Sequence, residues 1–144
     1  MYKRQKEKLI ELRSLPSETE WAEFKHNNSD SQQIGEYISA ISNSAALGNQ
    51  VSGFIVWGVE DGTHRVVGTS FKPRQQKGRG NEDLEPWLNK LLSPQINFTI
   101  HEFLTDDGFE MVLFEVQAAN TTPVAFAGRR YIRCLLYTSP SPRD

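Results

Sequence analysis

Apolar positions recur along the chain with two periods, and each period predicts a different element. Leu9, Leu12 and Leu15 predict a short N-terminal helix closed by Pro16. The stretch that follows alternates, with Trp21, Glu23 and Lys25 on one face and Ala22 and Phe24 on the other, which predicts a strand over Trp21–Lys25. Asn27-Asn28-Ser29-Asp30 is turn chemistry, and Ser29 with Gln32 has the spacing of a capping box. Ile34, Ile38, Ile41 and Ala45 then form one helical stripe, broken by Gly48-Asn49-Gln50. Gly53–Val59 is a β-branched and aromatic run, hence a buried strand. Glu60-Asp61-Gly62-Thr63 turns it into a partner strand over Arg65–Gly68. Lys72–Gly80 lacks periodicity and reads as a loop. Asp83 or Asn81 caps a second main helix carrying Leu84, Trp87, Leu88, Leu91 and Leu92, with Pro86 in its first turn. Ile96, Phe98 and Ile100 alternate towards Phe103, Asp106-Asp107-Gly108 turns, and Val112, Phe114 and Val116 return. Val124–Phe126 and Tyr131–Arg133 predict two further short strands around Gly128. The expected architecture is a single α+β domain, a mixed or antiparallel sheet with two main helices.

Composition changes this picture mainly at the ends. A chain of 144 residues with 38% hydrophobic positions and a net charge of −2 suits one domain. No apolar run reaches the length of a membrane span or of a signal-peptide core, so the expected compartment is cytoplasmic. Met1-Tyr2-Lys3-Arg4-Gln5 and the final run from Cys134 to Asp144 resemble translations, in opposite orientations, of one transposase adapter used in shotgun sequencing libraries. Residues 1–5 and 134–144 are therefore expected to be adapter-derived, 6–15 an N-terminal helix, and 16–133 the domain, a metagenomic piece of a longer bacterial protein. Setting the ends aside removes three basic residues and one acidic one, which leaves the remainder more acidic than the whole. It also removes Cys134, the single cysteine, and with it thiol redox and zinc–thiolate chemistry.

Several chemistries are excluded by what stands in their motifs. Gly48 and Gly53 have phosphate-loop spacing, but Phe54 and Ile55 occupy the places of the lysine and the hydroxyl residue. Gly78-x-Gly80 lacks a third glycine and a preceding strand, so it is no dinucleotide fingerprint. His26, His64 and His101 are far apart and read as surface or strand positions rather than ligands. No G-x-S-x-G nucleophile motif is present.

Acidic residues are more informative. Glu18, Glu20 and Glu23 surround the first strand, and Glu60-Asp61 follows the second. If the strands are neighbours, their carboxylates converge at one edge, as hard oxygen ligands for Mg²⁺ or Mn²⁺ with Lys25 offsetting phosphate charge. The alternative is a solvated acidic strand, with Asp61 simply the turn residue of an Asp-Gly hairpin. Lys72, Arg74, Lys77 and Arg79 place four cations in one glycine-containing loop, and Arg129, Arg130 and Arg133 form a second cluster. Both suit phosphate contacts, and the overall acidity requires any such contact to be local. The alternative for them is an exposed, solvated loop.

Glu18-Thr19-Glu20-Trp21-Ala22-Glu23-Phe24-Lys25, then Ile38-Ser39-Ala40-Ile41-Ser42-Asn43, then Gly53–Asp61 and Val67-Gly68 together resemble the Schlafen AlbA-type domain, also described as a divergent AAA or DNA-binding domain. Pro94, Asp107-Gly108, Glu115-Val116, Pro123-Val124, Gly128 and Tyr131-Ile132-Arg133 agree with it. The resemblance implies an α+β domain binding DNA or RNA at the N-terminus of a larger helicase-like, ATP-binding or transcriptional-regulator protein, whose ATP motif would lie beyond Arg133. In vertebrate Schlafens, related domains form an endoribonuclease acting on structured RNA through three carboxylates. The resemblance matches these with Glu18, Glu23 and Asp61, as metal ligands for Mg or Mn, and sets Lys25 beside them in the catalytic group. One departure is the segment from Ser44 to Ser52, which stands where the family has a small residue and a Gly-Gly pair. Three functions follow as expectations: a nucleic-acid-binding module using Lys72, Arg74, Lys77, Arg79, Arg129 and Arg130; a metal-dependent endoribonuclease; or a protein-interaction domain without catalysis.

Overall fold

The structure is a computed structural model that describes residues 2–13, 21–60 and 62–133. Its centre is a β-α-β unit. Strand β1 (Ala22–Lys25) runs into helix α2 (Ser31–Leu47), which follows an N-terminal helix α1 (Tyr2–Arg13), and the chain returns as β2 (Ser52–Trp57) parallel to β1. Ala22 pairs with Phe54 and Lys25 with Trp57. Two later strands, β6 (Phe98–Leu104) and β7 (Glu110–Gln117), complete a mixed sheet in the order β1-β2-β7-β6, with β1 on one edge. Strand β2 lies inside this sheet, covered on both faces, which is why its residues read as a continuous apolar run rather than as an alternation.

Alternation across the pleat divides the core in two. Ile55, Trp57, Val112 and Phe114 face α2, whose stripe of Ile34, Ile38 and Ile41 is fully buried against them. Phe24, Phe54, Val56 and Leu113 face the other way and are covered by Leu9 and Leu12 of α1. The N-cap of α2 is Asp30, one residue beyond the expected Ser29, and its carboxylate accepts the Gln33 N–H at 3.1 Å. Helix α1 starts at Tyr2, earlier than the expected residue 6, and Leu15 lies outside the described residues. No helix among the described residues is long and apolar enough to cross a membrane.

Three expectations are corrected. The partner strand over Arg65–Gly68 is reduced to a single bridge between Val59 and Val66. Gly58, at φ +109°, turns the chain there, and the N–H groups of both Val67 and Gly68 converge on its carbonyl, so no ladder can extend. The expected loop over Lys72–Gly80 contains strand β3 (Lys77–Arg79), paired with β4 (Glu82–Asp83) immediately before helix α3 (Leu84–Leu91). Gly78 of that hairpin packs directly against Trp87, a contact with no periodic signature. The last strands are β8 (Ala125–Phe126) and β9 (Arg129–Arg130), which form a small sheet with β5 (Leu92–Ser93). Their turn places Ala127 and Gly128 at positive φ, as a two-residue hairpin requires, so the return begins two residues before Tyr131. The domain is α+β, with three helices among the described residues.

Candidate functional site

Glu23 and Lys25 alternate with Ala22 and Phe24 on the edge strand, so their side chains emerge together on the α2 side of the sheet. Glu23 is only 8% exposed, and both its oxygens meet cations. Oε1 lies 2.9 Å from Arg133 Nε and Oε2 lies 2.5 Å from Lys25 Nζ. The Lys25 ammonium also sits 4.4 Å from the centre of the Tyr37 ring. Burial is the largest single influence on Lys25 and acts to lower its pKa. The charge and hydrogen bond of Glu23, joined by Tyr37, outweigh it, so the ammonium is held above its ordinary 10.5. Lys25 is thus a fixed positive charge and no proton acceptor near neutrality. Tyr37 is positioned in turn by Asn28, whose amide donates to its hydroxyl at 3.0 Å and whose carbonyl accepts from Trp57 Nε1 at 2.7 Å.

Arg133 reaches this strand because α2 carries a polar seam beside its apolar stripe. Asn43 is buried, and its Nδ2 donates to the carbonyls of Val124 at 3.0 Å and Tyr131 at 2.8 Å. Its Oδ1 accepts the Val124 N–H at 2.7 Å. Ser39 Oγ donates to the Val124 carbonyl and accepts the Tyr131 N–H, and Ser44 Oγ accepts the Arg133 N–H at 3.0 Å. Segment 124–133 is thereby fastened along the helix, and Arg133 Nη1 donates to the Ala22 carbonyl at 3.1 Å. The sequence grouped Arg133 with Arg129 and Arg130; the structure removes it from that group and places it on the carboxylate. The mid-helix run Ser39–Ser44 was the signal, since four of its six residues carry polar side chains that a helix interior does not need.

Glu18 and Asp61, the other two expected carboxylates, lie outside the described residues. Among the described residues no three His, Cys, Asp or Glu side chains come together as a metal set. Glu23 has the hard oxygens that Mg²⁺ or Mn²⁺ prefers, but a cation bound there would have to displace Lys25 from Oε2.

The six expected phosphate-binding cations divide into two groups. Lys72 is paired with Glu110, Lys77 lies 2.5 Å from Asp83, and Arg74 directs a guanidinium N–H to the Ile100 carbonyl at 2.6 Å. Arg79, Arg129 and Arg130 are exposed and have no acidic partner among the described residues. The two hairpins bearing them are braced by one side chain. Gly78 lies so close to Trp87 that a Cβ there would come within 2.3 Å of the indole, while the Phe126 ring meets Trp87 edge-on at 5.6 Å. Gly35 of α2 admits Phe126 from below in the same way.

Comparison with known proteins bears on the fold. No curated protein matches the chain. Among solved structures it is similar to the N-terminal domain of a DNA helicase RecG-related protein from Nitrosomonas europaea, at 18% identity and a TM-score of 0.54, covering 94% of this chain and 96% of that one. It is also similar to the DIP2311 protein from Corynebacterium diphtheriae, at 15% identity and a TM-score of 0.50, over 91% of this chain. It spans only 25% of the DIP2311 chain. At such identities the likeness is one of fold. The family described as Schlafen, AlbA_2 matches residues 18–137, most of the sequence, and the chain belongs to that family.

Proposed function

We propose that this domain binds nucleic acid through Arg79, Arg129 and Arg130, as the N-terminal module of a larger helicase-like or ATP-binding regulator. The observation that carries the reading is the contrast among its basic residues. In a chain of net negative charge, these three arginines have no acidic partner among the described residues and sit on two hairpins braced by Trp87, while Lys72 and Lys77 are neutralised locally. A local cluster of unpaired guanidinium groups is suited to phosphate oxygens, which it can engage bidentately. The test is a salt titration of binding to labelled DNA and RNA. Each lost phosphate contact flattens the log–log salt slope by about 0.7 to 0.9. The combined Arg79→Ala, Arg129→Ala, Arg130→Ala variant is expected to lose about two to three such contacts. Lys72→Ala with Lys77→Ala is expected to change the slope less. Wild-type binding that does not respond to salt contradicts the reading.

A second reading, a metal-dependent endoribonuclease, draws on the Glu23–Lys25 pair. Parallel pairing of β1 with β2 sets this pair next to the strand that leads into Glu60-Asp61. In this reading Glu18, Glu23 and Asp61 would hold Mg²⁺ or Mn²⁺, whose chemistry would be the activation of water, and Lys25, displaced from Glu23 Oε2, would face the scissile phosphate. Glu23→Gln is expected to abolish Mn²⁺-dependent RNA cleavage at a temperature where the variant remains folded; cleavage that persists in a chelator counts against it.

A further inference from the structure

We propose that the cleft beside Arg130 seats one unpaired nucleobase, so that the domain recognises single strands or unpaired loops in preference to continuous duplex. This rests on the nucleic-acid-binding reading above and specifies its substrate class. The cleft has a volume of about 390 Å³ and opens between the C-terminal half of α2 and segment 119–132. That is within the range of sites that hold small molecules. Leu47, Ala119 and Ile132 supply apolar walls, Asn120 and Thr121 supply polar ones, and Arg130 lines the same opening.

Three features point to a base attached to its backbone. Leu47 and Ile132 are 70% and 43% exposed, large aliphatic side chains held in water around one concavity. A flat heterocycle laid between them would cover both. Asn120 and Thr121 are exposed with no partner among the described residues, leaving an amide and a hydroxyl free to meet base-edge donors and acceptors. Asn43 also lines the cleft, but its amide is fully engaged by backbone and is not a reader. Finally, Arg130 has no acidic partner among the described residues, so its charge complements the phosphate that carries the base. In a duplex the bases stay stacked and paired, and none is available to enter such a cleft without being extruded.

The test measures binding of the full chain to three labelled probes of about 12 nucleotides, comparable to the site sizes of single-strand binders. The probes are a mixed-sequence DNA strand, the same backbone with abasic sites throughout, and the blunt duplex. The intact strand is expected to bind about fivefold to tenfold tighter than either of the others, the low end of what one stacked base supplies, because these walls are aliphatic rather than aromatic. Leu47→Ser, a change at an exposed position, is expected to remove that advantage and leave duplex and abasic binding unaltered. Equal binding of intact and abasic strands overturns the inference while leaving phosphate binding in place. Absence of binding to all three overturns both. A concentration-dependent dimer that Leu47→Ser dissolves also overturns it, because the cleft would then be covered by a second copy of the chain.

Discussion

Replacing Asn43 with alanine removes three hydrogen bonds at once, and the structure indicates which of the groups left behind suffer. The Val124 carbonyl keeps the Ser39 hydroxyl at 2.8 Å and stays satisfied. The Val124 N–H and the Tyr131 carbonyl lose the Asn43 partners recorded at 2.7 and 2.8 Å. A buried backbone group left without a partner costs about 1–3 kcal/mol. Because Asn43 borders an open cleft, water can reach part of the vacated space, which favours the lower half of that range. The expected loss is about 2–3 kcal/mol, or a fall of about 6–15 °C in Tm for a domain of this size. Urea unfolding is the direct assay, read as a lower midpoint at unchanged slope. Two comparisons make the measurement specific. Ser42→Ala removes a single bond to the Gln117 carbonyl and is expected to cost about 1 kcal/mol. Asn43→Asp keeps an acceptor for the Val124 N–H but turns a carboxylate on two carbonyls, so it is expected to destabilise at least as much as alanine. A loss below about 1 kcal/mol for Asn43→Ala, or a wild-type midpoint for Asn43→Asp, refutes the reasoning.

Glu23→Gln leaves Arg133 and Lys25 facing each other without a counter-charge. Breaking a fully buried pair costs about 3–5 kcal/mol, and because Lys25 can turn partly to solvent the expected loss here is about 2–3 kcal/mol; a neutral result in urea would show that the triad is solvated. Gly35→Ala places a Cβ within 2.2 Å of the Phe126 ring, and although alanine favours helix by about 1 kcal/mol, the forced displacement is expected to leave a net loss of about 1–2 kcal/mol. A raised Tm would show that the ring moves freely. His101 is held below its ordinary 6.5, first by burial and then by Arg4, with Glu115 opposing. Gln5 Nε2 lies 2.9 Å from His101 Nδ1, a contact in which the neutral ring accepts. The unfolded chain therefore binds this proton more readily, and the contribution is complete above pH 6.5 and is lost as pH falls through 6.5 to the lower folded value. Urea midpoints at pH 7.5 and 5.5 are expected to differ more in the wild type than in His101→Gln; equal differences would remove His101 from the account.

The parts of the fold that were legible in the sequence are those whose contacts repeat with the element's own period. Ile34, Ile38 and Ile41 announce α2 because every turn of that helix meets the sheet, and Phe98–Leu104 announces β6 because alternate residues meet the core. The short hairpins were not legible for the opposite reason. Lys77–Arg79 is a strand because Gly78 lies on Trp87, and Arg129 follows a turn fixed by Phe126 entering the space that Gly35 leaves open. Each is settled by one tertiary contact between residues far apart in the chain, which no local window contains.

The same distinction separates what could and could not be read of the candidate site. Clustering in sequence made Arg129, Arg130 and Arg133 look like one patch, yet their fates are opposite. Three positions past the end of β9, Arg133 is drawn by the polar seam of α2 onto Glu23, while Arg130 stays at the cleft. Sequence proximity measures how near the backbones are; burial and pairing decide which charge a ligand can meet. Lys25 shows the consequence most sharply. Its residue type suited it to a phosphate, but its ammonium is held between Glu23 and Tyr37, so an incoming phosphate must compete with a carboxylate already 2.5 Å away. The exposed arginines face no such competitor among the described residues, and this difference, invisible in a count of charges, is the physical ground for the proposal that phosphate is met first on the hairpins.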